Sequence, residues 1–82
     1  MPLYMDLHKT GESTAEDLAK AHLKDLEIQS KYNVRYVTYW FDERERRAYC
    51  FVEAQSKEAA EAVHREAHGL VANEITEVRE GT

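Results

Sequence analysis

The chain has 82 residues, of which 43% are aliphatic or aromatic and 33% charged, with a formal charge of −5. That composition suits one folded domain spanning residues 1–82 and leaves too little chain for a deep cleft between two domains. The acidic balance argues against non-specific nucleic-acid binding, because a phosphate backbone rewards clustered Lys and Arg.

Leu3 to His8 alternates in character: Leu3, Met5 and Leu7 on one side, Tyr4, Asp6 and His8 on the other. This is the period of a strand with one buried face. Thr10-Gly11-Glu12 turns the chain, and Ser13 with Glu16 three residues on reads as a capping box at a helix start. From Thr14 to about Tyr32 the spacing is helical, with Ala15, Leu18, Ala19, His22 and Leu26 on one stripe. Asn33, which tolerates the left-handed conformation, ends that helix.

Val34 to Asp42 is rich in β-branched and aromatic residues and predicts a strand. The charged stretch Glu43 to Arg46 joins it to a second strand, Arg47 to Ala54, making a hairpin. The only basic cluster, Arg44-Glu45-Arg46-Arg47, falls at the hairpin tip, where acids interrupt it and solvent surrounds it. Ser56 caps a second helix running to His68, and Gly69 closes it. A short strand around Glu74 to Arg79 completes the order β-α-β-β-α-β, the ferredoxin-like arrangement.

Two helices should therefore cover one face of a four-stranded antiparallel sheet. Alternation assigns Leu3, Met5, Leu7, Val37, Ala48, Cys50, Val52 and Ala54 to the covered face. It assigns Tyr4, Asp6, His8, Tyr36, Thr38, Trp40, Tyr49, Phe51 and Glu53 to the open one. Five aromatics on an open face make an apolar patch that a monomer rarely exposes, so the expectation is a homodimer formed through that face.

His64 and His68 are four residues apart, hence neighbours on one side of a helix and able to reach one transition-metal ion. His22 lies on the inner stripe of the first helix. The two helices are expected to run roughly parallel, with His22 and His64 at similar depth. Asp6 and His8 share one strand face with Glu53 nearby, and an imidazole with two carboxylates suits an octahedral divalent ion. The candidate metal ligands are thus His8, His22, His64, His68, Asp6 and Glu53. Each has an ordinary structural role beside it. His22 can be a hydrogen-bonded core residue, His68 a C-terminal cap, and Asp6, Glu53 and His8 can pair with Arg35, Arg47 or a lysine of a partner copy. Cys50 points inward, where a free cysteine usually packs as a small hydrophobe; the alternative is a thiolate ligand.

His64-Arg65-Glu66-Ala67-His68 is not the metalloprotease pattern, because its glutamate stands two positions after the first histidine. Glycine-rich phosphate loops, Cys-x-x-Cys pairs and Gly-x-Ser-x-Gly elbows are absent from the sequence. A single cysteine rules out an intrachain disulfide and fits a reducing cytoplasm. The N-terminus lacks the basic start and apolar run of a signal peptide, and no stretch approaches the roughly 20 apolar residues that span a bilayer. A soluble cytoplasmic protein without a membrane partner is expected.

Four segments, Met1-Pro-Leu-Tyr-Met-Asp-Leu-His8, Tyr39-Trp-Phe-Asp-Glu43, Tyr49-Cys-Phe-Val-Glu-Ala54 and Ala62-Val-His-Arg-Glu-Ala-His-Gly69, resemble a family of small actinobacterial nickel-binding proteins. That family sits within a larger class of ferredoxin-like domains of unknown function, and the likeness covers nearly the whole chain. The resemblance implies a ferredoxin-like fold, a homodimer and Ni(II) binding, for sequestration or homeostasis rather than catalysis. It supplies no ligand set. Imidazole suits nickel, copper and zinc alike, so only the resemblance selects nickel, with zinc or copper as alternatives. Two rivals stand beside this reading. One is a small-molecule oxygenase or other enzyme of the dimeric ferredoxin-like barrel type. The other is a dimeric interaction module with structural histidines.

Overall fold

The computed structural model describes residues 1–81. Its elements are β1 (Leu3–Lys9), α1 (Ala15–Ile28), a 3-10 turn (Gln29–Tyr32), β2 (Arg35–Asp42), β3 (Arg47–Glu53), α2 (Lys57–Ala67) and β4 (Glu74–Val78). The sheet order is β2-β3-β1-β4 with every neighbouring pair antiparallel. Two helices on a four-stranded antiparallel sheet in β-α-β-β-α-β order make a ferredoxin-like α+β fold.

Local chemistry sets the element ends. The first helix is capped one residue later than the Ser13–Glu16 expectation. Thr14 Oγ1 accepts from Asp17 N at 3.1 Å while Asp17 Oδ2 accepts from Thr14 N at 2.9 Å. Asn33 takes the left-handed conformation (φ 56°) and ends the helical run. His68 is the C-cap of α2, and Gly69 follows at φ +79°, donating its N–H to His64 O at 2.8 Å. A residue without Cβ suits that left-handed closure.

The register corrects three expectations. First, β1 is turned over: Tyr4 and Asp6 are buried beneath the helices, and Leu3, Met5 and Leu7 lie on the outer face. The cross-strand pairs agree, since Asp6 opposes Cys50 and Tyr4 opposes Val52 on the inner face, while Met5 opposes Phe51 and Leu7 opposes Tyr49 on the outer. Second, an irregularity between Tyr36 and Thr38 breaks the alternation of β2. Tyr36 is buried and Val37 exposed, and Tyr39 then opposes inward-facing Cys50 while Trp40 opposes Tyr49 outside. A bulge of this kind adds one residue and re-aims those that follow. Third, β1 and β3 are antiparallel, so the helices that follow them run in opposite directions rather than parallel.

The core consists of Tyr4, Val34, Tyr36, Cys50, Val52 and Ala54 of the sheet side against Ala60 and Val63 of α2. Full burial of Val52 and Val63 stabilises the fold by roughly 1.5–3 kcal/mol each. The inner stripe of α1 passes through Leu18, Ala21, His22, Asp25 and Ile28, with only Asp25 fully buried. That stripe is rotated from the expected one, and Leu26 faces solvent. A charged residue at the centre of an inner helix face needs a partner, and the partner is a histidine.

Candidate metal centre

Three elements converge on His64. Its place beside Ala60 and Val63 on the inner face of α2 aims the ring at the gap between α1 and β1. Asp25 reaches it from α1 and Asp6 from β1, and the three are 1%, 2% and 0% exposed respectively. His64 Nδ1 lies 2.9 Å from Asp25 Oδ1, and Nε2 lies 2.9 Å from Asp6 Oδ2. With a carboxylate on each ring nitrogen, both nitrogens donate and the ring is an imidazolium. Burial disfavours that charge, but the hydrogen bonds and charges of Asp25 and Asp6 outweigh it and raise the His64 pKa to about 9. Burial likewise opposes ionisation of Asp6, yet the hydrogen bond from His64 and the proximity of His8 hold its carboxyl well below the usual range. Asp25 is lowered in the same way by His64 and His68.

Three more side chains close the group. His8 Nε2 lies 3.2 Å from His64 Nε2 and 3.2 Å from Asp6 Oδ1. His68 Nε2 lies 3.0 Å from Asp25 Oδ1, and its Nδ1 accepts from Leu70 N at 3.1 Å. Tyr36 donates its hydroxyl hydrogen to Ala60 O at 2.9 Å, and its oxygen lies 3.4 Å from Asp6 Oδ2. Burial pushes both the Tyr36 phenol and the Cys50 thiol upward, with the charge of Asp6 adding to each. Both therefore stay protonated in the metal-free protein.

Proton counting exposes a conflict at one end of this network. His64 Nε2 already carries the hydrogen it gives to Asp6. If His8 Nε2 also carries one, two N–H groups face each other at 3.2 Å; if it does not, His8 has nothing to give Asp6 Oδ1. That oxygen is buried and has no hydrogen-bond partner among the described residues. The Asp25 end has no such conflict, since its Oδ1 faces both His64 Nδ1 and His68 Nε2, whereas the Asp6 end is left unsaturated.

The donor set fits a divalent ion at the unsaturated end. One ligand atom from each of Asp6, His8, Cys50 and His64 lies within 4.8 Å of the others. Ligands at about 2.0–2.3 Å from one ion are at most roughly 4.6 Å apart, so only slight tightening separates the group from a coordination shell. Asp25 is placed to accept from His64 Nδ1 and orient that ring, the usual task of a carboxylate behind a ligating histidine. Asp25, His64 and His68 form a second candidate group that shares His64.

Of the residues singled out from sequence, the structure brings Asp6, His8, His64 and His68 together. His22 is not in the group; its ring packs against Tyr39, with centroids 4.9 Å apart. Glu53 lies on the opposite face of the sheet, where it pairs with Arg35. The expected common face for Asp6, His8 and Glu53 does not exist, because β1 presents Asp6 inward at a position paired with Cys50. Asp25 was missed, although its spacing from Leu18 and Ile28 puts it on a helical inner stripe. Cys50, read first as a packing residue, borders the group.

A ferredoxin-like sheet under two helices, with aspartate, histidine and cysteine converging between the layers, defines a small α+β protein with a candidate metal centre. Residues 4–78 match the family model described as nickel responsive protein SCO4226-like. The chain belongs to that SCO4226-like family. It is similar to the crystal structure of SCO4226 from Streptomyces coelicolor A3(2), with a TM-score of 0.89 and 34% identity over 98% of this chain and 99% of that one. Comparison with curated proteins finds no match.

Proposed function

We propose that this protein binds Ni(II), or a similar divalent ion, as a nickel sequestration or homeostasis protein rather than as a catalyst. The observation that carries the reading is the convergence of two imidazole Nε2 atoms, 3.2 Å apart, on one buried carboxylate. Asp6, His8 and His64 are the ligands proposed, with Cys50 as a fourth and Asp25 with His68 as support. The family description, nickel responsive, favours nickel over zinc and copper. A thiol at Cys50 suits a reducing cytoplasm, and the net charge of −5 offers little to nucleic acid.

The functional unit proposed is a homodimer of single-domain chains joined through the outer sheet face. Leu3, Met5, Leu7, Trp40, Tyr49 and Phe51 lie on that face, and Trp40 is 52% exposed. A contiguous apolar patch of this kind marks an interaction surface.

Calorimetric titration of untagged, chelator-stripped protein with nickel, zinc and copper at pH 7.5 tests the metal reading. Saturable, stoichiometric nickel binding is the expected result. No binding of any of the three would overturn it.

A further inference from the structure

A chamber of about 340 Å³ opens over the histidine cluster, between α1, the sheet and the segment that follows α2. His8, Cys50 and His64 of the proposed ligand group reach it, as do Asp25 and His68; Asp6 is not in its wall. These groups are sunk below the surface: His64 is 1% exposed, Asp25 2% and Cys50 8%. An ion bound among them has to pass through the protein. The chamber, bordered by the exposed Lys9, Leu70 and Val71, joins them to solvent. A second hollow, between Tyr4, Ser56 and Ile75, touches none of them.

His22 stands outside the cluster but lines the same chamber, half-buried, its ring against Tyr39 with centroids 4.9 Å apart. The other three imidazoles of the lining each face a carboxylate, His8 that of Asp6, and His64 and His68 that of Asp25. Among the described residues His22 faces none and joins no side-chain hydrogen bond. A nitrogen lone pair is therefore uncommitted. His22 also stands three residues before Asp25 on α1, a spacing that puts their Cβ atoms about 5–6 Å apart on one face.

The charges of the lining favour a cation moving inward. Lys9, its one ammonium, is exposed, so water and salt screen it, and it has no lone pair to offer an ion. The floor sets Asp25, with Asp6 behind it, against the imidazolium of His64. A hydrated ion must exchange water for protein ligands on the way in. An imidazole in the wall, a donor that suits nickel, can replace one water before the buried groups replace the rest.

We propose that this chamber is the route by which the ion reaches the buried cluster, with His22 as a transient ligand on that route. The inference rests on the nickel reading above. A ligand held only in passage lowers the same barrier in both directions, so it sets rates and leaves affinity alone.

The test is stopped-flow mixing of untagged, chelator-stripped protein with nickel, read by a metallochromic indicator, with a chelator chase for release. His22→Ala and His22→Phe, the second keeping a ring against Tyr39, should slow entry and release alike. The expected factor is at least about fivefold, a barrier change of roughly 1 kcal/mol. The calorimetric affinity should stay at its wild-type value. Leu70→Trp, a change at an exposed side chain that narrows the mouth, should also slow both directions. Wild-type rates in either His22 variant or in Leu70→Trp would overturn the proposal while nickel binding stands. Faster release with unchanged entry would make His22 a resident ligand and overturn it as well. Absence of nickel binding to the wild type would overturn both readings.

Discussion

The two faces of the sheet carry polarity differently: an otherwise apolar inner face surrounds a charged cluster, and the outer face leaves large hydrophobes open. The face covered by helices holds Asp6 and His64 at full burial, with Asp25 above them. The outer face carries Leu3, Met5, Leu7, Phe51 and a half-exposed Trp40. Burying two carboxylates and an imidazole costs several kcal/mol per ion before pairing restores it, and a well-packed apolar core is often as stable or more so. On the proposed reading, the charged cluster within the inner layer holds an ion and the apolar outer face meets a second copy of the chain.

The largest effect is expected at Asp25. Asp25→Ala leaves His64 with one carboxylate and His68 with none, and breaking a buried pair in this way costs about 3–5 kcal/mol. Urea unfolding of the metal-free protein measures it; a loss below ~1 kcal/mol would mean that the inner cluster is less closed than its distances imply. Next is the outer face. The double substitution Met5→Glu with Trp40→Glu should weaken self-association by at least about 2 kcal/mol, as loss of a central aromatic does, while leaving nickel affinity intact. Sedimentation across a concentration series reads the first quantity and calorimetry the second.

The pH dependence is smaller and has a definite sign. His64 has a folded pKa raised from 6.5 to about 9. Its ion pairs therefore contribute full stability below pH ~6.5, and the contribution is lost as pH rises through about 9. Metal-free protein should lose stability between pH 7 and 10, with a flatter profile in His64→Gln. Nickel affinity should move the opposite way over the same window, because the ligand form of imidazole is neutral and binding releases the proton. The smallest effect is expected at Glu53. Its pair with Arg35 lies on the outer face, with Arg35 63% exposed, so Glu53→Gln should change stability by less than ~1 kcal/mol and nickel affinity not at all.

Element order was legible because helix and strand periods switch cleanly along the chain, at Thr14, Asn33 and Ser56. The orientation of β1 was not. Leu3, Met5 and Leu7 form the more apolar half of its alternation, and burying the apolar half is sound reasoning when the other half lacks buried partners. Here Asp6 has partners, His64 and His8, which come from the far end of the chain and from its own strand. The β2 irregularity had no sequence marker such as glycine, so the exchange of faces by Tyr36 and Val37 went unseen, while Trp40 beyond it lies on the open face as expected. Parallel helices were inferred by treating the preceding strands as parallel; in this topology β1 and β3 are antiparallel neighbours, which moves His22 away from His64 and brings Asp25 to it. The histidine pair at 64 and 68 was legible from spacing alone. Their shared acid was not, because a stripe drawn through Leu26 puts Asp25 on the wrong side of α1.

The most direct measurement is nickel calorimetry on His8→Ala and His22→Ala side by side, each checked for an intact fold by its unfolding profile. These residues are both partly exposed histidines near the same chamber, and only His8 converges on Asp6 and His64. The account predicts that His8→Ala weakens nickel binding at least about tenfold, ~1.4 kcal/mol, and that His22→Ala leaves it unchanged. Equal affinity in wild type and His8→Ala, or a greater loss in His22→Ala, would place the metal elsewhere and contradict it.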